Sequence, residues 1–329
     1  MKKAIILLGP TGVGKTAVSL LLANTLNTEI ISADSMQIYR YMDIGTAKPS
    51  KEERQTVRHH MIDIVEPWET YSTGEYIKAV QPIIEKLKIP LIVGGTGLYV
   101  KAMTRGIFTG PSADWNLRNE LLDKEKTEPG FLFNYLKTLD PEAADRIMPA
   151  DTRRIIRALE VCLKSKKTLS ELHQALTRPL PYEFLKIGLT RDRKELYKMI
   201  DDRVDAMINR GLLAEVRKVI DMIESEGNRQ GAIGYRKKES LPIAHCPLPL
   251  AYSSMQAIGY KEIAMHLYGD ISLDEAISLI KQRSRNYAKR QFTWFRKEEG
   301  IQWIDVTGIY EANKVYKKVL ECVKVGSLI

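Results

Sequence analysis

The eight residues Gly9-Pro10-Thr11-Gly12-Val13-Gly14-Lys15-Thr16 constrain this chain more than any other feature. They match G-x-x-x-x-G-K-[ST] in full. They follow the apolar run Ala4 to Leu8 and precede Lys15 to Leu26, whose apolar residues recur at helical spacing. The order is therefore strand, phosphate loop, helix. Glycines let backbone N–H groups turn towards phosphate oxygens, and the helix N-terminus adds the positive end of a dipole. Lys15 supplies a mobile cation, and the Thr16 hydroxyl can ligate Mg²⁺. Alone, the loop signals a diphosphate or triphosphate, and its default reading is a kinase or NTPase that binds ATP.

Further buried-strand candidates are Glu29 to Ala33 and Pro90 to Val93, each followed by polar or Gly-rich residues and then a helical pattern. Strands alternating with helices predict an α/β fold, a P-loop NTPase-like parallel sheet flanked by helices. From about Ala113 to Tyr182 the strand signals vanish, and charged amphipathic helices are broken by Pro129-Gly130, Asp140-Pro141 and Pro179 to Pro181. This reads as an all-α insertion, residues 113–183, in a core made of 1–112 and 184–329. The sheet pattern returns at Phe184 to Leu189, followed by helices over about Lys194 to Asn209 and Leu212 to Ile223. Residues 227–252, rich in Gly and Pro, read as an extra surface loop in which Gln230 to Tyr235 nearly repeats Gln256 to Tyr260. The final helix is expected at Leu273 to about Arg296.

Composition narrows the partners. Of 329 residues 44% are hydrophobic, enough for a sizeable core, and 50 Lys and Arg against 41 Asp and Glu give a net charge of +9 that favours a polyanionic partner. Cys162, Cys246 and Cys322 lie far apart, which suggests neither a disulfide framework nor a zinc finger and suits a reducing cytoplasm. No apolar run approaches the roughly eighteen residues of a membrane span. Neither export nor a membrane span is expected, and with no pattern demanding a partner chain the expectation is a monomer.

Two more strand ends carry polar residues. In Ile30-Ile31-Ser32-Ala33-Asp34-Ser35-Met36-Gln37, a carboxylate, a hydroxyl and an amide stand where a buried strand emerges. The carboxyl edge of an open α/β sheet is where ligands bind, and Asp and Ser are also favoured helix caps, so both readings of Asp34 stay open. An NTP hydrolase would show an acid closing an apolar strand, yet Leu91-Ile92-Val93 runs instead into Gly94-Gly95-Thr96-Gly97. There a hydroxyl sits amid glycines that permit close backbone approach. His59-His60 with Asp63 invites a metal reading, against which stands the rarity of adjacent histidines facing one ion.

Arg153-Arg154-Ile155-Ile156-Arg157 begins an amphipathic helix with Arg153 and Arg157 on one face and Ile155, Ile156 and Leu159 able to pack inward. From Lys281 to Lys297 there are seven basic residues, interleaved with Tyr287, Phe292, Trp294 and Phe295. Lys281, Arg285 and Lys289 share a stripe that suits a track of phosphates, and aromatic and Arg side chains beside it can stack on unpaired bases. A solvated face over a packed core explains the same pattern.

Taken together, GPTGVGKT, ISADSMQIYR, MDIGTAKP, HHMIDIVEP, LIVGGTGLYVKA, RRIIRALE, QAIGYKE and YAKRQFTWFR, in this order over about residues 3–297, resemble the tRNA dimethylallyltransferase family. The resemblance implies transfer of a dimethylallyl group from dimethylallyl diphosphate to N6 of adenosine 37 beside the tRNA anticodon, with Mg²⁺ assisting departure of diphosphate. It implies that Gly9, Pro10, Thr11, Gly12, Val13, Gly14, Lys15 and Thr16 hold the diphosphate, with Thr16 on the metal side and Arg203 as a second diphosphate-binding cation. Asp34 falls on the family's general base, beside Ser35, Met36 and Gln37 as RNA contacts. Thr96 falls on a hydroxyl that holds the reacting base. Arg118 falls on a tRNA contact, as do Arg153, Arg154, Ile155, Ile156 and Arg157. The remaining contacts implied are Gln256, Ala257, Ile258, Gly259, Tyr260 and Lys261, then Lys289, Arg290, Gln291, Phe292, Thr293, Trp294, Phe295 and Arg296. The helical insertion would bind the anticodon stem-loop.

One departure is the segment of roughly 25 residues that separates the two near-copies of the Q-A-I-G-Y block. Function is assigned to the second copy, which alone runs on at ordinary spacing into the basic helix. The alternative to the family reading is a P-loop nucleotide kinase, or an adenylate prenyltransferase acting on free nucleotides. Both lack a use for the basic helix and the insertion.

Overall fold

In a computed structural model that describes residues 2–108, 110–232 and 252–326, the N-terminal apolar run forms β1 (Lys2–Leu8) and the helix after the phosphate loop is α1 (Lys15–Leu26). Next come β2 (Ile30–Ala33), α2 (Lys51–Thr56), β3 (His59–His60), α3 (Thr73–Lys86), β4 (Leu91–Gly94) and α4 (Gly97–Thr104). Ser50 and Ser72 open α2 and α3 with capping boxes closed by Glu53 and Glu75. A strandless run follows: α5 (Trp115–Thr127), α6 (Phe131–Leu139), α7 (Pro141–Arg146), α8 (Thr152–Ser165) and α9 (Leu169–Leu176). The chain then forms β5 (Tyr182–Thr190), α10 (Arg193–Asn209), α11 (Leu212–Ala232), α12 (Tyr260–Leu267), α13 (Leu273–Phe295), β6 (Ile301–Asp305) and α14 (Ala312–Val325).

The strands pair in the order β3-β2-β4-β1-β5-β6, every pair parallel. Near-continuous apolar runs such as Ala4 to Leu8 suit strands buried on both faces, and these five residues are fully buried. Helices cover the sheet: Val18 and Leu22 of α1 and Val315 and Val319 of α14 pack in one core with Ile5, Leu91 and Ile187. The expected α/β class with a parallel, helix-flanked sheet is borne out. Register sets Leu8 and Ala33 both opposite Gly94, so the carboxyl ends of β1, β2 and β4 lie side by side.

The chain divides into two compact units. One holds the sheet and draws on residues 2–104, 181–232 and 252–326; the other draws on 105–180 and contains α5 to α9. The helical unit has its own core, in which Leu121, Leu132, Leu136, Ile155, Ile156 and Leu159 are buried. No helix among the described residues is long and apolar enough to cross a membrane.

Two expectations need correction. The helix beginning at Leu273 is not the last: β6 and α14 follow it, and β6 extends the sheet at an edge, where Gln302 and Trp303 stay exposed and blur the strand signal. Helix α11 also runs on to Ala232, so residues 227–232 are helical where a loop is expected, despite Gly227 and Gly231. Residues 233–251, with the second half of the first near-copy of the Q-A-I-G-Y block, lie outside the described residues.

Candidate functional site

Gly14 caps the start of α1 at φ 102°, a left-handed conformation that a side chain would strain. The loop turns there, and Lys15 folds back so that Nζ donates to the carbonyls of Gly9 at 2.9 Å and Pro10 at 2.8 Å. Burial lowers the Lys15 pKa to about 8, against the attraction of Asp34, with Arg203 adding to the depression. Arg203, on α10, donates from Nη1 to the Thr11 hydroxyl at 3.1 Å. Its own pKa is lowered by burial and held up by Asp34. Two cations from distant parts of the chain thus stand at one loop.

Asp34 leaves the end of β2. Its Oδ1 accepts the N–H groups of Met36 at 2.9 Å and Gln37 at 3.3 Å, while Oδ2 has no hydrogen-bond partner among the described residues. Thr96 stands beside it: Oγ1 accepts from the Ser35 N–H at 3.0 Å, and its own N–H donates to the Ala33 carbonyl at 3.1 Å. Tyr287 of α13 joins this group, its phenol pKa raised by burial and by Asp34 against hydrogen bonding from Thr96 and Gln291.

Two cavities meet here. One, of about 370 Å³, is lined by Gly12, Gly14, Lys15 and Thr16 and extends past Ser32 to His59. The other, of about 250 Å³, is walled by Ile200, Val204, Met207, Ile258 and Ile280, with Arg290 also on its lining. Thr11, Asp34, Thr46, Arg203 and Tyr287 line both. The arrangement offers an anion site and an apolar wall on either side of a carboxylate.

Of the remaining candidates, Ser35, Met36 and Gln256 to Gly259 line the apolar cavity. Gln37 lines the cavity at the phosphate loop; its Oε1 accepts from the Ser32 hydroxyl at 3.0 Å and its Nε2 donates to the Thr46 and Ala47 carbonyls, each at 3.4 Å. Tyr260 is buried, its hydroxyl donating to Glu215 at 2.5 Å, and Lys261 is half-buried. Glu215 also accepts the N–H groups of Asp43, Ile44 and Gly45 and so fixes the loop that brings Thr46 to the cavities. On α13, Lys289, Arg290, Thr293, Trp294 and Arg296 face outward, Phe292 is half-buried, and Gln291 and Phe295 are buried. The expected phosphate stripe is shorter than its spacing suggests, because Lys281 pairs with Asp205 at 2.7 Å and Arg285 with Asp201 at 2.6 Å, both on α10.

Within the helical unit, Arg118 grips the buried Glu160 carboxylate through two hydrogen bonds, of 2.9 and 2.8 Å, and Arg157 binds the same group. Arg153 and Arg154 are exposed, whereas Ile155 and Ile156 belong to the core. His60 pairs with Glu29 and Asp63 with Lys48 and Arg54, and no group of three or more metal-binding His, Cys, Asp or Glu occurs among the described residues. Sequence reasoning missed Glu215 and the parts played by Tyr287 and Gln291. The first stands in the block MINRGLLAEV, whose polar interruption of an apolar face was the one available signal.

A model of the IPP transferase family matches residues 37–298, and a model of isopentenyl transferases matches residues 2–66. The chain is 56% identical over 328 residues to a tRNA dimethylallyltransferase of Thermodesulfovibrio yellowstonii, covering 97% of this chain and 98% of that one. It superposes on the crystal structure of full-length tRNA isopentenylpyrophosphate transferase from Bacillus halodurans with a TM-score of 0.65 at 37% identity, covering 99% of this chain and 98% of the other. A eukaryotic dimethylallyltransferase captured acting on tRNA gives a TM-score of 0.78 at 28% identity, over 99% of this chain and 80% of that one. With phosphate loop, carboxylate and hydroxyl gathered at one sheet edge and likeness running the length of the chain, this protein belongs to the IPP transferase family, the prenyl-transferring tRNA dimethylallyltransferases.

Proposed function

We propose that this enzyme moves the dimethylallyl group of dimethylallyl diphosphate to N6 of adenosine 37 in tRNA, with Asp34 as general base. The observation that carries the reading is Asp34 itself. It lines both cavities beside Lys15 and Arg203, and one of its two oxygens makes no hydrogen bond to the described residues. An adenine amino group is a weak nucleophile because its lone pair is delocalised. As N6 attacks the allylic C1, the C1–O bond breaks, its electron pair leaves with diphosphate, and the N6 proton passes to the free oxygen of Asp34. Thr96 is then the hydroxyl beside the acceptor base.

Lys15, Arg203 and the N–H groups at the start of α1 would take up the negative charge growing on the leaving diphosphate. The Thr16 hydroxyl fits Mg²⁺, a hard cation that takes one or two protein oxygens and completes its shell with phosphate oxygens and water. When bound, that ion would neutralise part of the leaving group's charge. Trp294 and the basic residues from Lys289 to Arg296 would meet the RNA, and Arg153 and Arg154 offer exposed cations on the helical unit. The target base would have to leave its stack to reach the carboxylate.

The test is label transfer from dimethylallyl diphosphate to unmodified tRNA with adenosines at 36 and 37, in Mg²⁺, by the wild type and by Asp34→Asn. Transfer by the wild type with a loss of at least about a hundredfold in the variant is expected. An unlabelled tRNA, or an undiminished variant, overturns the proposal. Preferential labelling of free AMP would favour the adenylate prenyltransferase reading instead.

A further inference from the structure

Gln291 lies on α13 between Arg290 and Phe292, within the aromatic and basic run that reads in sequence as an RNA-facing surface. Its side chain turns the other way. It is 5% exposed; Oε1 accepts the N–H of Thr11 at 2.8 Å, and Nε2 donates to the carbonyl of Gly95 at 2.9 Å. One amide therefore ties the phosphate loop after β1 to the glycine loop after β4. Both of its hydrogen-bonding ends are matched to backbone groups of opposite polarity, a pairing a carboxylate or a methionine of similar length cannot reproduce.

The fit is close. A Cβ on Gly95 would come within 2.2 Å of Nε2, so the glycine at that position makes room for this side chain. Each tied residue adjoins the reaction site: Thr11 accepts the Arg203 guanidinium on its hydroxyl, and Gly95 precedes Thr96, whose Oγ1 accepts from the Ser35 N–H. We infer that Gln291 is a positioning residue that sets the spacing between the diphosphate loop and the Asp34–Thr96 acceptor side. Its neighbours Lys289, Arg290 and Trp294 are exposed on the same helix, so the element that would meet RNA is the one that holds the two loops in register.

This inference rests on the transferase reading above, and its test separates the two. Gln291→Met keeps the length and loses both backbone hydrogen bonds. Gln291→Glu keeps an acceptor for Thr11 and loses the donor to Gly95 until its carboxyl is protonated. With dimethylallyl diphosphate and tRNA as substrates, Gln291→Met is expected to lower kcat by about tenfold or more, the scale of a lost, well-placed hydrogen bond. Its tRNA affinity, read by filter binding, stays within about twofold of wild type, because the side chain makes no outward contact. The kcat of Gln291→Glu, relative to wild type at each pH, rises as pH falls and the donor is restored. Affinity for inorganic diphosphate, measured by calorimetry, falls in Gln291→Met as the Thr11 loop loosens. A loss of tRNA affinity with unchanged kcat makes Gln291 an RNA contact and overturns the inference, as does a Gln291→Met variant with unaltered kcat and unaltered diphosphate affinity. A wild type that transfers nothing to tRNA sinks the transferase reading alone. Diphosphate affinity then decides the inference: its loss in Gln291→Met supports it and its retention overturns it. Should Gln291→Met not fold, as judged by circular dichroism, the pH response of Gln291→Glu carries the test, and a flat response overturns the inference.

Discussion

At the scale of single residues, Asp34 has a geometry that accommodates both of the readings its spacing leaves open. Oδ1 caps the turn at Met36 and Gln37, as a short acid after a strand favours, and that leaves Oδ2 to other uses. Lys15 carries a pH signature. Its pKa in the free protein is lowered to about 8 by burial, and a bound diphosphate favours the ammonium and raises it. Binding therefore takes up a proton above the free value and none below it. Affinity for dimethylallyl diphosphate should hold steady below about pH 8 and fall as pH rises through it, whereas a lysine at its ordinary value would delay the fall by over two pH units. Calorimetry in buffers of different ionisation enthalpy would read the proton uptake. Glu160 carries a stability signature. Burial pushes its carboxyl pKa up, yet hydrogen bonds from Arg118, the Asp114 N–H and Arg157 hold it below the usual range. Its stabilising contribution is present above the ordinary carboxylate pKa and lost as pH falls through the lowered one. Glu160→Ala should destabilise the helical unit by about 3 kcal/mol, the low end for breaking a buried pair, since both arginines still reach solvent. Chemical denaturation would measure it.

Among the elements, α13 is the one whose parts differ most from its sequence pattern. Seven basic residues from Lys281 to Lys297 read as one track, yet Lys281 and Arg285 are neutralised by Asp205 and Asp201 on α10. Outward positive charge is concentrated from Lys289 onward. Lys289→Ala should weaken tRNA binding similarly for all tRNA sequences and reduce the salt slope by about one, while Lys281→Ala should leave the slope nearly unchanged. Equal effects from the two would contradict the division. The same helix shows why the site was half legible. The phosphate loop, Asp34 and Thr96 are contiguous motifs at strand ends, where residue order alone suggests a site. Gln291, Tyr287 and Glu215 act through partners far along the chain, 280 residues away for Gln291 and Thr11, and only the packed fold reveals such pairings. Buried Ile155 and Ile156 follow the inward face that helical spacing already indicates.

For the whole molecule, alternating apolar runs and helical stretches made the parallel sheet legible, because strands buried on both faces need continuous hydrophobic sequence. The edge strand β6 escaped: it has five residues, three of them exposed, and lies beyond the most basic stretch of the chain. The net charge of +9 had its plainest reading as a polyanion partner, and an enzyme tracking RNA phosphates should lose tRNA affinity steeply between about 50 and 200 mM salt. Its affinity for free dimethylallyl diphosphate, a far smaller anion, should change less. In the proposed reaction, a phosphate loop grips a leaving diphosphate while Asp34 takes a proton from N6. The most direct measurement incubates enzyme, Mg²⁺, dimethylallyl diphosphate and unmodified tRNA, then digests the RNA for nucleoside mass analysis and counts the diphosphate released. N6-(dimethylallyl)adenosine at position 37, with one diphosphate released for each, is the expected result; an unmodified adenosine 37, or diphosphate freed without transfer, would contradict this chemistry.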